Sequence, residues 1–187
     1  MGKSRAAEIL AKRGAKVSDS DQLARELVEP GQPALAEIVE VFGDGVLRED
    51  GWLDRAKVGE LVFGDSAARE KLEGILHPRI RDVRQARFDG WAAAGEWLAV
   101  AVIPLLFETR AEASFDRIVC VACSPEAQRE RLRERGWSDD QISSRLEAQM
   151  AVDEKMKRSN HVVWTDGTIE AHAAQWDALL SSWDVEA

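Results

Sequence analysis

Two stretches of this 187-residue chain, Leu98 to Ile103 and Ile118 to Cys123, are apolar at every position. A strand with one wet face alternates apolar and polar residues. An unbroken apolar strand needs cover on both faces, which helices on either side of a parallel sheet provide. His161 to Trp164 reads as a last strand, and Ala15 to Val17 as a short extended piece. Most of the remaining chain has helical spacing. Ala6, Ala7, Ile9, Leu10 and Ala11 mark a helix from Lys3 to Lys12 that Gly14 ends, and Leu23, Ala24, Leu27 and Val28 mark a second that stops at Pro30-Gly31. Pro33 opens a third, through Leu35, Ile38, Val39 and Phe42. Further helices are predicted from Leu53 to Phe63 and from Ala67 to Leu76, and Pro78 restarts the pattern through Ile80, Val83, Ala86 and Phe88. Ser124-Pro125 caps an Arg-rich helix, Ser138 and Gln141 form a capping box, and Thr168 caps the final helix. The order of elements predicts one α/β domain, with a strand-free helical insertion over 24–95.

Composition narrows the function. A formal net charge of -9 argues against a nucleic-acid grip or an anionic membrane surface, because phosphate contacts need clustered Lys and Arg. The longest apolar run is too short to span a bilayer, and no secretory signal is evident, so a cytoplasmic location is expected. Cys120 and Cys123 have redox-motif spacing, but on a strand residues three apart point to opposite faces, so they are read as core residues.

One feature points to phosphate chemistry, and two others take a structural reading on spacing alone. Gly2-Lys3-Ser4 matches the end of a phosphate-gripping loop, in which backbone N–H groups converge on phosphate oxygens, Lys3 reaches the phosphates and Ser4 ligates Mg²⁺. Asp19 and Asp21 sit where a strand hands over to a helix, which on spacing alone reads as helix capping. Arg129, Arg131, Arg133 and Arg135 alternate with acids, the pattern of a solvated, salt-bridged helix face.

The segment from Asp19 to Gly31, D-S-D-Q-L-A-R-E-L-V-E-P-G, resembles the D-A-D-x-x-A-R-x-x-V-x-P-G signature of the dephospho-coenzyme A kinase family. Further matches follow in the family's order: D-G-x-L-D-R at Asp50 to Arg55, Val62-Phe63, L-H-P-R-I at Leu76 to Ile80, and I-P-L-L-F-E at Ile103 to Glu108. The resemblance implies a P-loop NTPase-like three-layer α/β fold over 1–187, a helical acceptor-binding insertion, and lid helices over 126–158. It also implies phosphoryl transfer from ATP, with Mg²⁺, to the 3′-hydroxyl of dephospho-coenzyme A. Lys3, Asp21 and Arg131 are the implied catalytic residues, with Asp21 as base and Asp19 beside it helping to hold metal through water. Gly2, Lys3, Ser4, Arg131, Arg145 and Gln149 are assigned to ATP. Asp21, Arg25, His77, Arg81, Pro104, Leu105 and Glu108 are assigned to the acceptor, although His77 equally fits a satisfied helix-end histidine and Pro104 a strand stop. Trp164 falls where the family approaches adenine.

The sequence departs from the family pattern in three places. Nothing corresponding to the first central strand and the first half of the phosphate loop stands before Gly2, so Met1 is read as an internal methionine of that loop. Val102-Ile103 replaces an acidic position, and V-V-W-T-D-G at Val162 to Gly167 replaces V-I-x-N-x-G, which leaves adenine contact at Asp166 open. Two other readings stand beside the main one: an inactive remnant that binds coenzyme A-like ligands, and another P-loop small-molecule kinase, such as one for nucleoside monophosphates.

Overall fold

The structure is a computed structural model in which residues 2–147 and 149–183 are described. In chain order its elements are α1 (Lys3–Lys12), β1 (Lys16–Asp19), α2 (Ser20–Glu26), α3 (Pro33–Phe42), α4 (Arg55–Gly64), α5 (Ser66–Ala93), β2 (Ala99–Val102), β3 (Val119–Ala122), α6 (Pro125–Arg133), α7 (Asp139–Glu147), α8 (Val152–Arg158), β4 (His161–Trp164) and α9 (Ile169–Ser182). β1 pairs with β2 and β3 with β4 in two-stranded sheets. The chain forms two compact units, one of residues 1–17 with 102–187 and one of residues 18–101.

In the first unit, β3 and β4 run parallel, in register from Val119 opposite His161 to Ala122 opposite Trp164, as unbroken apolar strands require. Ala6, Ile9 and Leu10 of α1 are buried, and α1 packs against α9, where the Arg13 guanidinium pairs with Asp177. The caps are those the sequence predicts. Ser124 Oγ accepts from Ala127 N, Thr168 Oγ1 accepts from Ala171 N, and Ser138 and Gln141 exchange reciprocal side-chain to backbone bonds at 3.1 and 3.3 Å.

In the second unit, α2, α3 and α4 all pack on α5 around buried Val28, Ala34, Ile38, Val46, Val58 and Ile75. Here the structure corrects the sequence reading twice. Pro78 does not restart a helix: it lies inside α5, a single helix of 28 residues. An interior proline costs a hydrogen bond and crowds the carbonyl four residues back. That residue is Gly74, whose Cβ position meets nothing within 4 Å. The next residue, Arg79, bonds Ile75 O at 2.7 Å and pairs with Glu37 on α3, so tertiary contacts carry the helix past the break. α4 starts at Arg55 and not at Leu53, because Leu53 bridges antiparallel to Leu47 and Asp54 caps the helix by accepting from Ala56 N and Lys57 N. Among the described residues no helix is long and apolar enough to cross a membrane.

Candidate active site

The first unit gathers the N-terminal motif, the arginine helix and a cavity. Gly2 has φ 101°, in the region that favours glycine, and a Cβ there would stand 2.9 Å from Thr165 Cγ2. α1 follows directly, with no side-chain cap and no acidic residue in its first turn. Gly2 has no side chain with which to cap this end, and a helix start of that kind, with its N–H groups and positive dipole end, suits an anion. Ser4 is exposed at this end.

Thr165, the residue that a Cβ at Gly2 would strike, also holds Arg131. The Arg131 guanidinium donates to Thr165 Oγ1 at 2.9 Å and to Thr165 O, and Thr165 Oγ1 donates to Ala122 O at 3.1 Å. Thr165 thus faces the open side of Gly2 and anchors Arg131. Arg131 is half-buried, unlike Arg133, whose pairing with Asp139 is exposed as the solvated-face reading expects. Burial, followed by the charges of Arg131 and Arg5, lowers the His172 pKa, and neutral His172 accepts a bond from Trp176 Nε1 at 3.1 Å.

Lys3 lines a cavity of about 420 Å³ whose walls include Pro104, Cys120, Gln128, Gln149 and Lys155. Burial raises the Cys120 pKa, and Lys155 and Lys3 oppose it, so both ammonium groups lie within electrostatic reach of this thiol. Cys123 is buried and, like every residue from 118 to 122, lines the same cavity. Both cysteines are free.

Gln149 is on the cavity wall; Arg145 lies in α7, and its side chain is outside the described residues. β2 ends at Val102 and Pro104 follows in a turn, as a strand stop would. Leu105, half-buried, accepts at its carbonyl from Thr109 N at 3.0 Å. Glu108 accepts from Lys155 Nζ at 2.8 Å and Met150 N at 3.0 Å. Burial opposes the Glu108 charge, but these bonds hold its carboxyl below the usual range. Asp166 accepts from Ser124 N at 2.9 Å, tying the β4–α9 loop to the start of α6, and Trp164 is 45% exposed.

In the second unit, Asp19 Oδ1 caps α2, accepting from Asp21 N at 2.8 Å and Gln22 N at 3.4 Å. The capping role therefore belongs to Asp19, and Asp21 projects from the first turn as an exposed carboxylate. Asp21 attracts Arg55, whose pKa is lowered first by burial and then by Arg25, so these three charges are neighbours. Burial also lowers the pKa of Arg84, which is 6% exposed, with Arg81 adding to the effect. His77 is half-buried inside α5, not at a helix end, and Arg81 is exposed beside Asp82.

Sequence reasoning missed Thr165, Lys155, Arg55 and Arg84 as members of these groups. Arg55 carried a signal as the last residue of D-G-x-L-D-R, and Thr165 as part of V-V-W-T-D-G. Lys155 lies in D-E-K-M-K-R, a run indistinguishable from a solvated face until its partners are known.

A glycine turn opening a helix, with a lysine lining an adjoining cavity, sits in an α/β protein with parallel strands. The dephospho-CoA kinase family model matches residues 1–171. A dephospho-CoA kinase of Bacillus thuringiensis subsp. konkukian (strain 97-27) is 40% identical over 185 residues, 98% of this chain and 92% of that protein. One from Anaeromyxobacter dehalogenans (strain 2CP-C) is 47% identical over 181 residues, 96% and 86%. The crystal structure of TT1252 from Thermus thermophilus superposes with TM-score 0.82 at 31% identity, covering 97% of this chain and 91% of that one. The dephospho-CoA kinase from Campylobacter jejuni, at 23% identity and TM-score 0.70, covers 98% and 93% and shares the fold. This chain belongs to the dephospho-CoA kinase family, and its fold is of the P-loop NTPase-like α/β class.

Proposed function

We propose that this protein transfers the γ-phosphoryl group of ATP to the 3′-hydroxyl of dephospho-coenzyme A, giving coenzyme A. The observation that carries the reading is the Gly2-Lys3-Ser4 turn: it heads α1 without a side-chain cap from Gly2, leaves no room for a Cβ beside Thr165, and has Lys3 lining a cavity that Gln149 also lines. Phosphoryl transfer asks little covalent work of a protein. It asks for in-line positioning and for positive charge where the transferring oxygens gain negative charge.

In this reading the α1 N–H groups and Lys3 hold the nucleotide phosphates, and Arg131, fixed on Thr165, supplies a guanidinium to the same end of α1. The glycine-led start of α1 fits a phosphate, and exposed Ser4 would hold Mg²⁺ with its hydroxyl, Asp19 helping through water. Mg²⁺, when bound, neutralises phosphate charge. Asp21 takes the proton of the acceptor hydroxyl. Arg25, Arg55 and Arg81 face the anionic acceptor, residues 24–95 receive it, and the helices over 126–158 close over the nucleotide.

The test is incubation of the purified chain with ATP, Mg²⁺ and either dephospho-coenzyme A or a nucleoside monophosphate, with products read by mass spectrometry. Coenzyme A is the expected product. Turnover of the monophosphate with none of dephospho-coenzyme A overturns the assignment.

A further inference from the structure

The cavity that holds Lys3 has two walls distant in sequence. One is the segment after β2, which contributes Ile103, Pro104, Leu106 and Phe107; the other is the end of α7 and the start of α8, which contributes Gln149, Met150 and Lys155. These walls are strapped together by charges that a phosphoryl-transfer mechanism does not itself use. A single oxygen, Glu108 Oε1, accepts from Lys155 Nζ at 2.8 Å and from the Met150 amide at 3.0 Å. Lys155 Nζ also donates to Pro104 O at 3.3 Å. One turn along each element, Glu112 pairs with Arg158, and the Arg158 guanidinium lies 4.5 Å from the centroid of Phe107.

We propose that Glu108 and Lys155 are positioning residues for the nucleotide: their ion pair, through the Met150 amide, fixes the α7–α8 junction and so sets where Gln149 stands over the cavity. Side-chain exposures of 22% for Glu108 and 16% for Lys155 place the pair largely out of water, where breaking one partner costs far more than at a surface. The Met150 bond lies at the junction itself, one residue from Gln149. Glu112 and Arg158 are more exposed, at 30% and 41%, and act as a second, weaker strap. Glu108, assigned from the sequence to the acceptor, is thereby reassigned to the nucleotide side, acting through other residues.

The proposal rests on the nucleotide reading of the cavity, and its test separates the two. The full chain and its Glu108→Gln, Lys155→Met and Lys155→Arg variants are compared by binding of a fluorescent ATP analogue and by hydrogen exchange at the Met150 amide. Glu108→Gln and Lys155→Met are expected to weaken nucleotide binding roughly tenfold and to speed Met150 exchange. Lys155→Arg, which keeps the charge, is expected to restore most of both. Dephospho-coenzyme A affinity is expected to stay unchanged. Wild-type nucleotide affinity in Glu108→Gln and Lys155→Met overturns the positioning role alone. Failure of the unaltered chain to bind the analogue overturns the nucleotide reading and the proposal with it.

Discussion

Replacing Thr165 by valine removes one hydroxyl while keeping the side-chain shape. That hydroxyl accepts from Arg131 at 2.9 Å and donates to Ala122 O at 3.1 Å, in a residue that is 6% exposed. Losing the acceptor of a charged donor costs about 1.5–3 kcal/mol. The Ala122 carbonyl keeps the Thr165 N–H at 2.9 Å, so its loss is smaller, about 0.5 kcal/mol. The added methyl returns about 0.8 kcal/mol. The net expectation is a destabilisation of about 2 kcal/mol, or a fall in Tm of about 4–8 °C for a chain of this size. Thr165→Ser keeps the hydroxyl and loses one methyl, at about 1 kcal/mol. Urea unfolding followed by tryptophan fluorescence, with unchanged slope, gives both values. If Thr165→Val is no less stable than Thr165→Ser, the methyl packing and not the Arg131 anchor holds this corner, and the placement of Arg131 beside Gly2 loses its energetic basis.

Other outcomes follow from the same geometry. Asp21→Asn is expected to lower turnover by about 10²–10⁴-fold with ATP binding largely intact; near-normal turnover in a coupled kinase assay would remove Asp21 as base. Gly2→Ala combines a positive φ with a 2.9 Å contact, and should destabilise by about 1–3 kcal/mol and weaken nucleotide binding, measured by urea unfolding and ligand titration. Because the folded pKa of His172 is depressed, its contribution to stability is present above the unfolded value near about 6.5 and is lost as pH falls through and below it. His172→Gln keeps an acceptor for Trp176 and should flatten the stability profile below that pH. An unchanged slope in unfolding curves between pH 7 and 5 would show that His172 does not set it.

The sequence by itself determined what depends on near neighbours along the chain. The Ser138–Gln141 box, the Ser124 and Thr168 caps and the unbroken apolar strands are legible because each is decided within a few residues. The glycine turn at the chain's start belongs with them: Gly2, Lys3 and the helix behind them are consecutive. What only the tertiary structure decided involves partners far apart in sequence. Arg131 and Thr165 are separated by 34 positions, Asp166 and Ser124 by 42, and Lys155 and Pro104 by 51. No local pattern distinguishes an arginine destined for a threonine carbonyl from its solvated neighbours, or a lysine that will strap two cavity walls from the charged run around it. Pro78 shows the same limit in reverse. Local rules end a helix there, and packing on three other helices carries α5 through, because burying apolar surface along its length outweighs one lost backbone hydrogen bond.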